Sequence, residues 1–170
     1  MEGLITLEFR RASGSELEEV FRVFGDAIAE MDRNGIPQWD ELYPDRAILA
    51  EDISKNELFI GMIGGEIACV FVINSECDEE YKNGAWQYPG ASFRVIHRLC
   101  VNPRFQNRGI GAQTMRHIEA ELKKEGVESI RFDAFTRNPY ALRLYDKLGY
   151  ARVGYADWRK GRFLLMEKKL

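Results

Sequence analysis

The order of periodicities along the chain predicts a mixed α/β (α+β) fold, with hairpin-linked and crossover-linked strands in one sheet covered by helices. Period-two segments and helical-period segments follow one another as β-α-α-β-β-β-α-β-α-β-β, and their connections include both glycine turns and whole helices. At 170 residues and 45% hydrophobic content, the chain is the size of one domain spanning residues 1–170. A domain of that size encloses roughly 70% of the surface its unfolded form exposes. The 24 basic and 27 acidic residues nearly cancel. That balance argues against a general nucleic-acid or anionic-membrane partner, so any anion site must be local. Cys69, Cys77 and Cys100 lack pair-like or zinc-like spacing, which fits a reducing compartment. The start MEGLITLEF has no basic leader and no apolar run approaches a membrane span, so a cytoplasmic location is expected.

The elements read in order as follows. Ile5, Leu7 and Phe9 alternate with Thr6, Glu8 and Arg10, predicting a strand over residues 5–10. Ser15 and Glu18 form a capping box, and Leu17, Val20, Phe21, Phe24, Ile28 and Met31 keep helical spacing up to Asn34-Gly35. Residues 36–44 have two prolines and no period, predicting a loop. Asp45 then caps a helix to about Lys55. Residues 58–63 and 67–73 predict a hairpin turning at Gly64-Gly65-Glu66, and the acidic stretch 75–90 a solvated loop. A long strand over 93–101 places Phe93, Val95, His97, Leu99 and Val101 on one face and Cys100 on the other. A helix from Gly109 to Gly126 buries Met115, Ile118 and Leu122. A strand over 128–135, a short helix opened by Asn138-Pro139 and ended by Gly149, and a hairpin of 151–158 with 163–168 complete the chain.

Chemistry is most legible at Leu99 to Gly111, LCVNPRFQNRGIG, where a strand passes through a turn into a glycine-spaced helix start. Unpaired N–H groups at a helix N-terminus attract anions, glycines admit a phosphate to the backbone, and Arg104 and Arg108 stand nearby. A P-loop would need Lys then Ser or Thr where Ala112 and Gln113 stand, and a dinucleotide fingerprint would need a third glycine at Thr114. The remaining pattern, Gln106-Asn107-Arg108-Gly109-Ile110-Gly111, resembles the pyrophosphate loop of the GNAT superfamily of acyl-CoA-dependent N-acetyltransferases. That loop reads Arg or Gln, two residues, Gly, one residue, then Gly or Ala. Asn107 replaces a frequent glycine, and Asn tolerates the left-handed backbone. A second stretch, Asn138-Pro139-Tyr140-Ala141-Leu142-Arg143-Leu144-Tyr145-Asp146-Lys147-Leu148-Gly149-Tyr150, is similar to the family's Asn, small residue, Leu-Tyr-Glu-Lys-Leu-Gly-Phe.

The resemblance implies a GNAT-like, mostly antiparallel central sheet of about seven strands with about four helices, and acetyl-CoA as cosubstrate. It places the pyrophosphate on Gln106, Asn107, Arg108, Gly109, Ile110, Gly111 and Ala112, with Asn138 and Tyr145 nearby, and pantetheine along Leu99, Cys100 and Val101. An N–H near Leu99 or Cys100 would face the thioester oxygen. Tyr145 is placed as the acid for the departing thiolate, a transfer uphill by roughly 2 kcal/mol from reference pKa values, and His97 as the base, the alternative being a water chain with no single base. Glu66 is the substitute base, while His117 reads as surface. No metal site is expected, because the two histidines lack partners at ligand spacing. The implied activity is acetyl transfer to a primary amine of a small molecule or peptide, by a monomer or homodimer. Trp39, Asp40, Glu41, Tyr43 and Trp86 are the acceptor candidates, the last within an acidic stretch from Glu76 to Trp86 that faces the same side, since carboxylates beside aromatic rings suit an ammonium. The alternatives are a non-catalytic CoA-binding sensor or interaction domain, and a nucleotide-binding regulatory domain.

Overall fold

Two apolar strands form a hairpin within the sheet. β2 (Leu58–Ile63) and β3 (Glu66–Asn74) pair antiparallel across Gly64 and Gly65, whose positive φ angles of 55° and 81° suit a tight glycine turn. Residues 67–72 of β3 are buried without alternation, because helices cover both sides of this strand. In the computed structural model, which describes residues 6–170, β1 (Glu8–Arg11), β4 (Phe93–Val101), β5 (Ser129–Phe135), β6 (Ala151–Trp158) and β7 (Gly161–Lys169) join them. The sheet order is β1-β2-β3-β4-β5-β7-β6, and only β4 and β5 run parallel. The predicted first strand is borne out from Glu8; Ile5 lies outside the described residues.

One face carries α1 (Leu17–Arg33) and α2 (Arg46–Ser54), the other α3 (Ile110–Lys124) and α4 (Pro139–Lys147). Val20, Val23, Phe24 and Ala27 of α1 pack on Val70, Val72 and Cys100. Met115, Ile118 and Leu122 of α3 and Tyr145 of α4 pack on Phe71, Ile96, Ile130 and Phe132. Each fully buried aliphatic or aromatic side chain among these contributes about 1.5–3 kcal/mol. No helix among the described residues is long and apolar enough to cross a membrane.

Three expectations need correction. The capping box is Ser13 with Glu16, not Ser15 with Glu18: Glu16 accepts from the Ser13 N–H at 2.9 Å and pairs with Arg10 at 2.7 Å, while Glu18 pairs instead with Arg46 of α2 at 2.9 Å. The 75–90 segment is not simply solvated. Its turn at Glu79–Asn83 buries Tyr81, the Trp86 ring lies 4.4 Å from the Arg131 guanidinium, and the Gln87 N–H donates to buried Glu167 at 2.7 Å. This segment covers β4, β5, β6 and β7 on the α1 face. His117 is half-buried and stacks on Phe9 with ring centroids 4.0 Å apart, so it is not a free surface residue.

Candidate active site

The site begins where two parallel strands part. β4 and β5 pair only at Phe93 with Ser129, Arg94 with Ile130 and Val95 with Arg131. Beyond Val95 the backbone groups of β4 that face β5 have no strand partner, and a slot opens through the sheet. Around it lies a cavity of about 780 Å³, lined from one face by Met115, Phe132 and Tyr145 and from the other by Tyr43, Asp52 and Asp133.

A bulge shapes the β4 wall. Arg98 has φ of 51°, and the register with β3 slips between Val70 and Val72, so strand alternation breaks at Arg98. The predicted parity fails there. His97 pairs with Val72 and Cys100 with Val70, two residues apart on β3, so His97 and Cys100 share the α1 face. Leu99 and Val101 turn to the α3 face. The bulge also aims Arg98 at α2. Its Nε and Nη2 donate to Asp52 at 2.9 and 2.7 Å, and Nη1 donates to the Tyr43 hydroxyl at 2.8 Å. This fork is the rigid corner of the cavity.

At the N-terminus of α3, Asn107 and Gly109 both adopt left-handed backbone, with φ of 62° and 74°. Among the described residues the N–H groups of 107–112 find no backbone acceptor, the first being the Gln113 N–H on the Gly109 carbonyl at 3.0 Å. That concentration of free donors suits a phosphate or pyrophosphate. Gly111 serves packing as well, because a Cβ there would stand 3.1 Å from Leu144 Cδ2 of α4. Gln106, Arg108 and Gly109 are exposed, Ala112 is half-buried, and Ile110 is buried against Phe105. The Arg108 guanidinium lies 5.6 Å from the Phe105 ring centre, and Arg104 is paired with Glu66 at 2.7 Å. That pair engages Glu66 away from the cavity lining.

Tyr145 lies between Phe132, 4.6 Å away by ring centroid, and Tyr150 at 6.1 Å. Burial, with the nearby Asp133 charge, pushes its phenol far above the ordinary range, so it keeps its proton. Asn138 caps α4 by accepting from the Ala141 N–H at 3.1 Å and donates to Gln38 at 2.9 Å, tying α4 to the loop after α1. His97 is held against Asn74 Oδ1 at 2.7 Å, and burial beside Arg98 lowers its pKa to about 4. A ring so reluctant to accept a proton is a poor base at neutral pH. Cys100 is enclosed and its thiol pushed far up by burial, so it offers the slot only main chain.

The five acceptor candidates separate. Trp39 is buried on Phe24, 5.4 Å between ring centroids, and also lines the cavity, as does Tyr43. Asp40 is held by Arg159 at 2.6 and 2.8 Å and by Lys160 at 3.4 Å, which clasps the loop to the β6–β7 turn. Exposed Glu41 and the packed Trp86 are not part of the lining. Sequence reasoning missed Asp133 and Arg98, whereas Asp78 and Tyr81 lie in the 76–86 stretch expected on the acceptor side. Asp133 sits deep on β5 with a side open to the cavity; it accepts from the Tyr81 hydroxyl at 2.7 Å, and burial raises its pKa to about 6. The cavity's cations have carboxylate partners: Lys55 with Glu51, Arg98 with Asp52, Arg159 and Lys160 with Asp40. Asp78, Glu80 and Asp133 have no cation within ion-pair distance among the described residues.

A sheet split beside a helix start rich in main-chain donors suits a long phosphorylated ligand laid along the strand edges. The chain belongs to the acetyltransferase (GNAT) family, whose pattern it matches over residues 15–150. It is 33% identical over 56 residues to the ribosomal protein bS18-alanine N-acetyltransferase of Salmonella typhimurium, a match spanning 33% of this chain and 38% of that relative's length. The fold is that of a GNAT-family acetyltransferase from Streptococcus agalactiae, with TM-score 0.84, 24% identity and coverage of 96% and 95% of the two chains. It is likewise that of the PaiA N-acetyltransferase of Thermoplasma acidophilum in complex with coenzyme A, with TM-score 0.71, 18% identity and coverage of 98% and 100%.

Proposed function

We propose that this protein transfers an acetyl group from acetyl-CoA to a primary amine of a small molecule or peptide by direct attack. The observation that carries the reading is the slot between β4 and β5, with helix-start N–H groups beside one face that find no backbone acceptor, and carboxylates on the other that find no cation, among the described residues. Phosphates bound on residues 107–112 leave the unpaired edge of β4 to hold the pantetheine arm by strand-like hydrogen bonds. A main-chain N–H near Leu99 or Cys100 then faces the thioester oxygen and stabilises the charge that develops there. Tyr145, protonated and lining the same cavity, supplies the proton for the departing sulfur.

The test mixes the protein with acetyl-CoA and a broad panel of amines and follows release of free thiol together with formation of the amide. Turnover with at least one primary amine is the expected result. Tight acetyl-CoA binding without turnover of any amine would replace this reading with the CoA-binding sensor.

A further inference from the structure

Tyr145, assigned above as the acid, stands near the C-terminal end of α4, so its placement depends on how that helix ends. Two paired hydrogen bonds close it. The Tyr150 N–H donates to the Tyr145 carbonyl at 3.0 Å and the Gly149 N–H to the Asp146 carbonyl at 3.1 Å, with Gly149 left-handed at φ of 88°. Tyr150 therefore holds the Tyr145 backbone directly. It also backs the Tyr145 ring: both rings lean on Phe132, at 4.6 and 4.8 Å between centroids, and meet edge to face at 6.1 Å.

Tyr150 is in turn held from two other elements. Where the family's pattern ends in Gly-Phe, this chain has Gly149-Tyr150, and the added hydroxyl donates to Glu119 Oε1 of α3 at 2.9 Å. The Lys168 ammonium of β7 donates to both Glu119 oxygens at 3.0 Å and to the Leu148 carbonyl at 2.7 Å, a group that the end of α4 leaves without an intrahelical partner. Burial, with the Glu119 charge, pushes the Tyr150 phenol far above the ordinary range, so it remains a donor to the carboxylate.

We infer that Glu119 is a positioning residue for Tyr145: through the Tyr150 hydroxyl and the Lys168 ammonium it fixes the end of α4, and with it the phenol that protonates the departing sulfur. This rests on the acid role assigned to Tyr145 above. Glu119, Tyr150 and Lys168 stand outside the cavity lining, so they act only through α4. Because α3, α4 and β7 all meet at Glu119, α4 cannot slide or turn on the sheet without breaking a charge-assisted hydrogen bond. Without that carboxylate the Tyr150 hydroxyl and the Lys168 ammonium lose their shared acceptor, the Tyr150 ring is free to tilt, and the Tyr145 ring packed on it follows. A proton donor must lie within hydrogen-bond reach of the sulfur, and a shift of about 1 Å can cost ~10²-fold in rate. Residues 107–112 take no part in this network, so acetyl-CoA affinity serves as the internal control.

The test is a double-mutant cycle on kcat for an amine the parent protein acetylates, with acetyl-CoA affinity and the amine KM measured alongside. Glu119→Ala should lower kcat by ~10-fold or more and leave both of the others in place. Glu119→Gln keeps an acceptor oxygen for Tyr150 and should recover most of that loss. In a Tyr145→Phe background Glu119→Ala should change kcat by about twofold or less, because no phenol remains to be positioned. A loss of the same size in both backgrounds, or a fall in acetyl-CoA affinity that matches the fall in kcat, overturns the inference. If Glu119→Ala fails to fold, Tyr150→Phe, which removes only the hydroxyl, decides through the same cycle: a kcat equal to the parent's overturns it. Full kcat in Tyr145→Phe alone, with chemistry limiting, defeats the acid role whatever Glu119→Ala does, and a parent protein that acetylates no amine defeats the acetyl-transfer reading; this inference falls with either.

Discussion

On the α3 side of the slot the groups that suit a phosphate come from one unbroken stretch, residues 107–112, as main-chain N–H groups, with the Tyr145 side chain added from α4. On the α1 side they are side chains from separate segments: Tyr43 from a loop, Asp52 from α2, Asp78 and Tyr81 from the 75–90 segment, Arg98 from a bulge and Asp133 from β5. The first arrangement depends on backbone conformation and suits a ligand that never changes. The second depends on side-chain identity and tertiary packing, and so can be retuned residue by residue. It also contains the costly groups, a largely buried Arg98–Asp52 pair and a half-buried carboxylate at Asp133.

Breaking the charged side should have the largest effect. Arg98→Met leaves Asp52 enclosed without its cation and should lower unfolding free energy by about 3–5 kcal/mol in denaturant titration. A loss below about 1 kcal/mol would mean that the corner of the cavity relaxes to water. Next in size, Tyr145→Phe should reduce kcat by ~10²-fold or more with acetyl-CoA affinity unchanged, provided rapid-mixing kinetics show chemistry to be limiting. On the backbone side, Gly109→Val forces a β-branched residue to φ of 74° and should weaken acetyl-CoA binding at least tenfold, ~1.4 kcal/mol, by calorimetry. Gly111→Val sharpens the contrast, since its side chain would push on Leu144 and disturb α4, so kcat should fall along with affinity. Asp40→Asn should do least, a change of about twofold or less in KM for any amine, because the half-buried Asp40 carboxylate is already held by Arg159 and Lys160. A large rise in amine KM there would restore Asp40 as an acceptor contact.

The same contrast explains what the sequence disclosed. Gln106 to Gly111 and Asn138 to Tyr150 are contiguous, and their glycines, cap and proline dictate local backbone, so both stretches were legible in order and spacing. The seven strands and four helices followed from periodicity for the same reason. Arg98 was not legible: a non-glycine residue at positive φ carries no sequence signal, yet it reverses the facing of Leu99 and Val101 relative to His97. Asp133 reads as one polar position in an alternating strand, and its partner Tyr81 lies 52 residues earlier in a stretch whose acids suggested solvent. Two Ser-x-x-Glu registers overlap at 13–16 and 15–18, and in the fold Glu16 turns back to the Ser13 N–H and Arg10 while Glu18 turns to Arg46 of α2.

The central claim is that one site is loaded from two independent faces. Initial rates with both substrates varied, compared among the parent, Gly109→Val and Asp133→Asn, test it most directly. The account predicts that Gly109→Val raises KM for acetyl-CoA at least tenfold and leaves the amine dependence in place. It predicts that Asp133→Asn lowers kcat/KM for the amine and leaves KM for acetyl-CoA in place. Equal disturbance of both substrates by each variant would contradict it.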